Sequence, residues 1–298
     1  MQALLDTLAL CQDMPRNPVR VFHGRGGHFA GLEHLTLDWW DPVWLLTSFR
    51  ALSETELSRV HEALVKVSAP LNWVYQCREP GAVETRLMAG SVPDPHVVQE
   101  AGAQYLIHLL RGQNHGLFLD MAVVRAWVNQ QASALKVLNL FAYTCGFSVA
   151  ALTGGASEVI NIDMAASALS IGQKNHALNG LGSRAHFWAH DIFSSWGKIG
   201  RHGPYDLIIV DPPSHQKGSF VATKDYPRLM RRLPGLLTPG GRAMLCLNAP
   251  ELGSDFLQHA MAREAPSLNF QERLPNPSGF EDQNPEKSLK VLIYQAPA

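Results

Sequence analysis

Two stretches decide the fold: VLNLFAYTCGFSVAAL at residues 137–152 and DLIIVDPPS at 206–214. Each begins as a short, almost wholly apolar run and ends abruptly in small, polar or proline residues. Apolar runs of about four to eight residues between turn signals read as strands buried on both faces. Moving outward, the same unit recurs: KVLNLF (136–141), EVINID (158–163), AHFWAHD (185–191), DLIIVD (206–211), AMLCLN (243–248), LNFQERL (268–274) and LKVLIYQ (289–295). Helical stretches separate them. Strands buried on both faces with helices between them predict a mostly parallel, doubly wound α/β sheet of seven strands.

The pattern is different before a soft boundary in residues 90–115. There VRVF, LTLDWWDPVWLLTSF, NWVYQC and TRLMAG read as strands of a small α+β domain, and AQYLIHLL (103–110) as a further strand. One helix interrupts them, opening on the capping box Ser53–Glu56 and running to about Lys66. The expected division is therefore 1–111 for the small domain, a candidate substrate-binding part, and 112–298 for the α/β domain. Trp39, Trp40 and Trp44 fit core and strand-edge packing better than base stacking.

Composition narrows the classes. With 298 residues, 46% hydrophobic and 17% charged, the bulk of the chain is not disordered. A formal net charge of −1 excludes a polycation that coats nucleic acid by charge alone. Residues 1–95 carry 8 basic and 11 acidic side chains, and the remainder 17 and 15. Cys11, Cys77, Cys145 and Cys246 form no C-x-x-C, so no zinc ribbon, other metal site or disulfide framework is signalled, and reduced cytoplasmic thiols are expected. The N-terminus reads as a short helix and not a signal peptide, and no apolar run is long enough to span a membrane. Lys217, Lys224, Arg228, Arg231, Arg232 and Arg242 form a basic run that is either a solvated helix face or a phosphate-contacting rim.

Ligands of open α/β sheets sit at the carboxyl ends of the strands. The first such end runs from Asn139 to Gly146, where the missing Cβ lets backbone approach a ligand. It is not G-x-G-x-x-G, so a cofactor without a pyrophosphate is expected and a nicotinamide dehydrogenase is disfavoured. Asp163 ends the second strand, where a carboxylate can accept ribose hydroxyls. Asp191 ends the third, where it can accept an adenine amino group with Ile192 flanking the ring. The plainer reading of either is a helix N-cap. Asp211-Pro212-Pro213-Ser214 ends the fourth: a carboxylate and a rigid carbonyl there can hold a nucleophilic amine in line with an electrophile. The plainer reading is a rigid turn.

These motifs, with GLFLDMAVVR (116–125) and INIDMAASAL…NHALNGL (160–181), resemble a class I S-adenosylmethionine (SAM) methyltransferase. More narrowly they resemble the bacterial 23S rRNA methyltransferases of cytosine C5 or guanine N7, the guanine-N7 domain above all. The likeness covers about residues 112–295, and more weakly the small domain. It implies a Rossmann-like, seven-stranded SAM domain in which Asn139, Phe141, Tyr143, Thr144, Cys145 and Gly146 line the cofactor. It further implies that Asp163 holds the ribose, Met164 packs on the adenine, Asp191 and Ile192 meet its edge, and Asp120 and Arg125 approach from the preceding element. Asp211, Pro212 and Pro213 would lie at the methyl group and target, with Asn248 as a polar contact to substrate. The cytosine-C5 members carry a preceding PUA-type domain and a nucleophilic cysteine after the fifth strand. The expectation here is no such domain and, at the cysteine's place, Asn248.

The leading expectation is a cytoplasmic enzyme, not membrane-bound, that methylates a base nitrogen of RNA, 23S rRNA first. A small-molecule or protein methyltransferase, a cytosine-C5 enzyme and a non-catalytic binding module are the competing readings. Neither the methylated atom nor the oligomeric state is legible.

Overall fold

The computed structural model describes residues 1–213, 215–216 and 220–298. The chain folds as two compact units, residues 1–120 with 277–284, and residues 121–276 with 285–298. Among the described residues no helix is long and apolar enough to cross a membrane.

The first unit contains α1 (Gln2–Ala9), β1 (Val19–His23), β2 (Leu35–Trp40), β3 (Val43–Ser48), α2 (Glu54–Val67), β4 (Trp73–Glu79), β5 (Ala82–Ala89), β6 (His96–Glu100) and β7 (Ala103–Ile107). Strands β1 to β5 form one sheet in chain order, antiparallel except for the β3–β4 pair that α2 connects, and β6 and β7 form a separate hairpin. The run LTLDWWDPVWLLTSF is a hairpin: Asp41-Pro42 breaks it, and β2 pairs with β3 from Trp40 opposite Val43 onward. Proline donates no ladder bond, so it sits in the turn. The capping box forms, with the Ser53 hydroxyl accepting from Glu56 N and Glu56 accepting from Ser53 N. Trp39, Trp40 and Trp44 are all buried, which leaves no face for a base. The returning segment 277–284 joins this unit: Gln283 N donates to Gly26 O at 2.9 Å, and the Arg20 guanidinium lies 4.3 Å from the Phe280 ring centre.

The second unit contains α3 (Ala122–Gln131), β8 (Lys136–Leu140), α4 (Gly146–Thr153), β9 (Glu158–Asp163), α5 (Ala166–Leu178), β10 (Ala185–Ala189), α6 (Trp196–His202) and β11 (Tyr205–Val210). A short pair follows, β12 (His215–Gln216) with β13 (Phe220–Val221), then α7 (Ala222–Met230), β14 (Leu237–Leu247), α8 (Ser254–Glu264), β15 (Asn269–Leu274) and β16 (Lys290–Gln295). The seven-stranded sheet has the order β10-β9-β8-β11-β14-β16-β15, and β16 runs opposite to the other six. This is the Rossmann-like methyltransferase arrangement, with a final strand inserted between the two before it.

Alternation along each strand buries both faces. Leu138, Leu140, Ile160, Ile162, Ile208 and Val210 pack beneath α6, α7 and α8. Val137, Val159, Leu207 and Ile209 face the other way, onto α3 and α4. The chain leaves β8 toward β9 on one side and returns to β11 on the other, so the topological switch point lies between β8 and β11. Ile209 is fully buried at the centre of β11. Ile209→Ala should cost about 2–5 kcal/mol by removing methyl groups from a site that cannot collapse. Thermal unfolding checks it; an unchanged midpoint would contradict the two-sided burial of this strand.

Candidate active site

At the switch point the chain passes from β8 to α4 through a strained turn. Phe141, Tyr143 and Cys145 have φ of 58°, 48° and 63°, all left-handed and none of them glycine. Each such residue costs on the order of 1–3 kcal/mol and persists only where its surroundings over-determine it. The surroundings here are specific. Ala142 N donates to Ile162 O at 3.0 Å and Cys145 N to Ala142 O at 2.7 Å. Tyr143 N donates to Asp163 Oδ2 at 2.8 Å, while Asp163 Oδ1 accepts from Ala165 N at 2.8 Å. Asn175 Nδ2, from α5, donates to Thr144 O at 3.0 Å.

Gly172 forms the floor. A Cβ there would stand 2.5 Å from Cys145 Sγ and 3.3 Å from Thr144 O. The Cys145 thiol is fully buried against it, and burial, then the nearby Asp163 charge, pushes its pKa well above the ordinary value. What this segment offers a ligand is therefore backbone and the half-buried Phe141 and Tyr143, not the thiol.

Beneath the turn runs a directed polar chain. His176 Nδ1 lies 2.7 Å from Gly172 O, so Nδ1 carries the proton and Nε2 accepts from Ser148 Oγ at 2.8 Å. Asn161 Nδ2 donates to Ser148 Oγ at 3.0 Å, and Asn139 Nδ2 to Asn161 Oδ1 at 2.9 Å. Burial lowers the His176 pKa and keeps the ring neutral, as the acceptor role requires. The chain begins at Asn139 Oδ1, a buried acceptor with no partner among the described residues.

The other residues expected at the site lie on neighbouring strand ends. Met164, directly after Asp163, is 61% exposed although apolar. Asp191 is exposed and caps a short 3-10 turn, accepting from Phe193 N at 2.9 Å; Ile192 is buried in the core. Asp211 is half-buried at the end of β11, followed by buried Pro212 and half-buried Pro213. Asn248 is exposed past the end of β14, and Cys246 is buried inside that strand, where its carbonyl accepts from the Tyr226 hydroxyl. Arg125 is buried on α3 in the second unit, and Asp120 is the last residue of the first unit's opening segment. Ser214, Lys217 and the side chain of His215 lie outside the described residues.

Lys290 went unnoticed in the sequence. It is fully buried at the start of β16, opposite Leu247, and donates to Ala249 O at 2.8 Å and Glu286 O at 2.9 Å. It thus fixes the backbone next to Asn248. A lysine heading an apolar run looks like an exposed strand end, so only the fold reveals it. Gly172, Asn175, Ser148 and His176 were missed for the same reason. A shallow pocket lined by Trp127, Gln131, Asp206, Thr238 and Arg242 lies at the amino ends of the strands, opposite this site.

Fold and site together define a nucleoside-cofactor methyltransferase. Residues 19–295 match the family of S-adenosylmethionine-dependent methyltransferases, and the chain belongs to that family. SAM is its cofactor. The chain is 36% identical over 163 residues to ribosomal RNA large subunit methyltransferase I of Aeromonas salmonicida, a match covering 53% of this chain and 41% of the relative. It is 37% identical over 166 residues to ribosomal RNA large subunit methyltransferase K/L of a Psychrobacter species, covering 53% and 20%. These matches thus span less than half the length of either relative. The solved structure of SMU.776 complexed with SAH superposes with a TM-score of 0.83 at 25% identity, covering 99% of this chain and 79% of that one.

Two outcomes follow. Gly172→Ala should force the 141–145 turn apart from α5, weakening SAM binding at least tenfold and stability by about 1–3 kcal/mol; calorimetric titration and thermal unfolding check both. Thiolate is the form that alkylates, so raised pKa values suppress labelling. Iodoacetamide at pH 8 should modify half-buried Cys11 slowly, since burial raises its pKa too, and leave buried Cys77, Cys145 and Cys246 intact until unfolding. Mass spectrometry of the alkylated protein reads this directly.

Proposed function

We propose that this chain methylates a base nitrogen of RNA, with large-subunit rRNA as the substrate and the cytoplasm as its place of action. The observation that carries this reading is the clamped, left-handed 141–145 turn beside the Asp211-Pro212-Pro213 strand end. The names of the rRNA methyltransferase relatives support the substrate.

The residues fit SAM. Asp163 spends one lone pair of each oxygen on a backbone amide, which leaves acceptor capacity for both ribose hydroxyls. Asp191 has one oxygen engaged by Phe193 N and the other for an adenine amino group. Exposed Met164 would cover the adenine, and backbone of 141–146 would meet the methionine end. Arg125, on α3 of the same unit, would close the approach from the preceding element. Bound SAM supplies an electrophilic methyl group on a sulfonium.

The protein's task is then alignment. Asp211 and the Pro212 carbonyl accept from the edge of the target base and hold its lone pair in line with the methyl group. Proline at 212 and 213 keeps that carbonyl from turning. Asn248 meets a second edge of the base, on backbone that Lys290 holds. A ring nitrogen with a free lone pair needs no general base. Cytosine-C5 chemistry needs a nucleophilic thiol at this end, and Cys246 is fully buried within its strand.

The test uses labelled SAM with separated RNA, protein and metabolite fractions from a strain lacking the gene. Label should enter large-subunit rRNA, and nucleoside mass spectrometry should find it on nitrogen. Asp211→Ala should lower kcat by about 10²-fold or more through lost alignment while SAM still binds. Label confined to protein or metabolites would overturn the substrate, and full turnover by the variant would overturn the mechanism.

A further inference from the structure

The basic run in the sequence does not stay together in the fold. Arg242 lies on β14, donating to Gln131 Oε1 at 2.6 Å near the ring of Trp127. Arg228, Arg231 and Arg232 instead lie at the end of α7, where two of them meet aromatic rings from the β10–α6 segment. The Arg228 guanidinium sits 4.4 Å from the Phe193 ring centre, and that of Arg232 5.9 Å from Trp196. Phe193 and Trp196 are 6.2 Å apart, edge to face. A third pair lies on the same β10–α6 segment: Lys198 Nζ is 4.0 Å from the centre of the Trp188 ring, and that ring packs 4.8 Å from His202.

The three rings are half-buried against the core, and their outer sides carry cations. Two acids nearby are paired with arginines, and exposed Asp191 stands two residues before Phe193. Asp225 accepts from Val221 N and Arg228, and Glu264 from Arg231 and Arg263. Arg201 adds a further exposed donor, while His202 Nδ1 donates to Lys198 O at 3.0 Å. The surface therefore holds an excess of positive charge interleaved with flat groups. Its near end lies by the candidate site, since Phe193 is two residues beyond Asp191, and it runs from there past the last turn of α7 toward the amino ends of the strands.

We infer that Trp188, Phe193, Trp196, Lys198, Arg228 and Arg232 form a docking surface for an unpaired stretch of RNA flanking the nucleotide presented to Asp211. The inference rests on the RNA reading above and names the surface that serves it. Cations meet phosphates, and a guanidinium held over a ring has a plane on which a base can stack. Duplex bases are stacked on one another and cannot use those planes, so the surface selects single strands. A chain of net charge −1 needs such a local patch to hold RNA at all.

The probe is a fluorescein-labelled single-stranded RNA of about twelve nucleotides, followed by anisotropy on the intact protein over a range of salt. Variants are the triple Lys198→Ala/Arg228→Ala/Arg232→Ala and the double Arg228→Lys/Arg232→Lys, with SAM affinity as the check on folding. The triple variant should bind the oligonucleotide at least tenfold more weakly. Its salt slope should fall by about 2, the share of three phosphate contacts on a single strand. The lysine double should keep the slope and lose affinity, because charge stays and the planar stack goes. An unchanged affinity and slope in the triple variant, or no binding by the wild type, would overturn the proposal. Methyl transfer to rRNA measured on the same proteins separates the two readings. If the wild type labels rRNA and the triple variant does so with the same KM, the surface is wrong and the function stands. If the oligonucleotide binds through these residues and no RNA is ever labelled, the surface stands and the function is wrong.

Discussion

The Asp163 carboxylate is the constraint on which the site depends. It closes β9, takes one backbone amide from the turn after β8 and another from the approach to α5, and so ties three elements at the switch point. Without that tie, three non-glycine residues in the left-handed region would relax, each gaining on the order of 1–3 kcal/mol. One hydrogen bond to a charged group contributes about 1.5–3 kcal/mol, which does not offset the strain of three such residues. The turn persists because several restraints act at once: two amides on one carboxylate, Asn175 on the Thr144 carbonyl, and Gly172 close beneath Cys145.

Polar groups deep in the second unit serve the same geometry. The sequence Asn139, Asn161, Ser148, His176, Gly172 is a single run of donors and acceptors whose polarity the Gly172 carbonyl sets at one end. Such a chain admits one arrangement of the two strands and two helices it joins. An apolar filling of equal volume would tolerate slippage between them. At the far side of the site Lys290 plays a comparable part, spending its ammonium on two carbonyls so that the segment after β14 holds its course. The backbone behind the site is therefore fixed, while Met164, Asp191 and Asn248 stand exposed at the strand ends.

The same division underlies the nitrogen chemistry proposed for this chain. Rigid carbonyl and carboxylate acceptors align a nucleophile that already has a lone pair; they do not create one. Covalent activation of a pyrimidine ring would need a reachable thiolate at the end of β14. Cys246 is instead turned into the core, and exposed Asn248 stands nearest the strand end.

What the sequence determined by itself follows from local physics. A strand covered on both faces must be apolar throughout, so the seven runs were legible, and a polar residue closing such a run marks where the strand stops, so the places of Asp163, Asp191 and Asp211 at the strand ends were legible too. The Ser53–Glu56 box declared its helix because its partners are three residues apart. Tertiary structure alone decided what depends on distant partners. It inserted β16 between β14 and β15, and joined Pro277–Asn284 to the first unit. It buried Lys290, and it parted Arg242 from Arg228 and Arg232. Gly172 in a helix and Ser148 in another carry no local mark of a site. Their roles arise only when packing brings α4 and α5 against the turn, and contacts between such distant segments leave no periodicity in the chain.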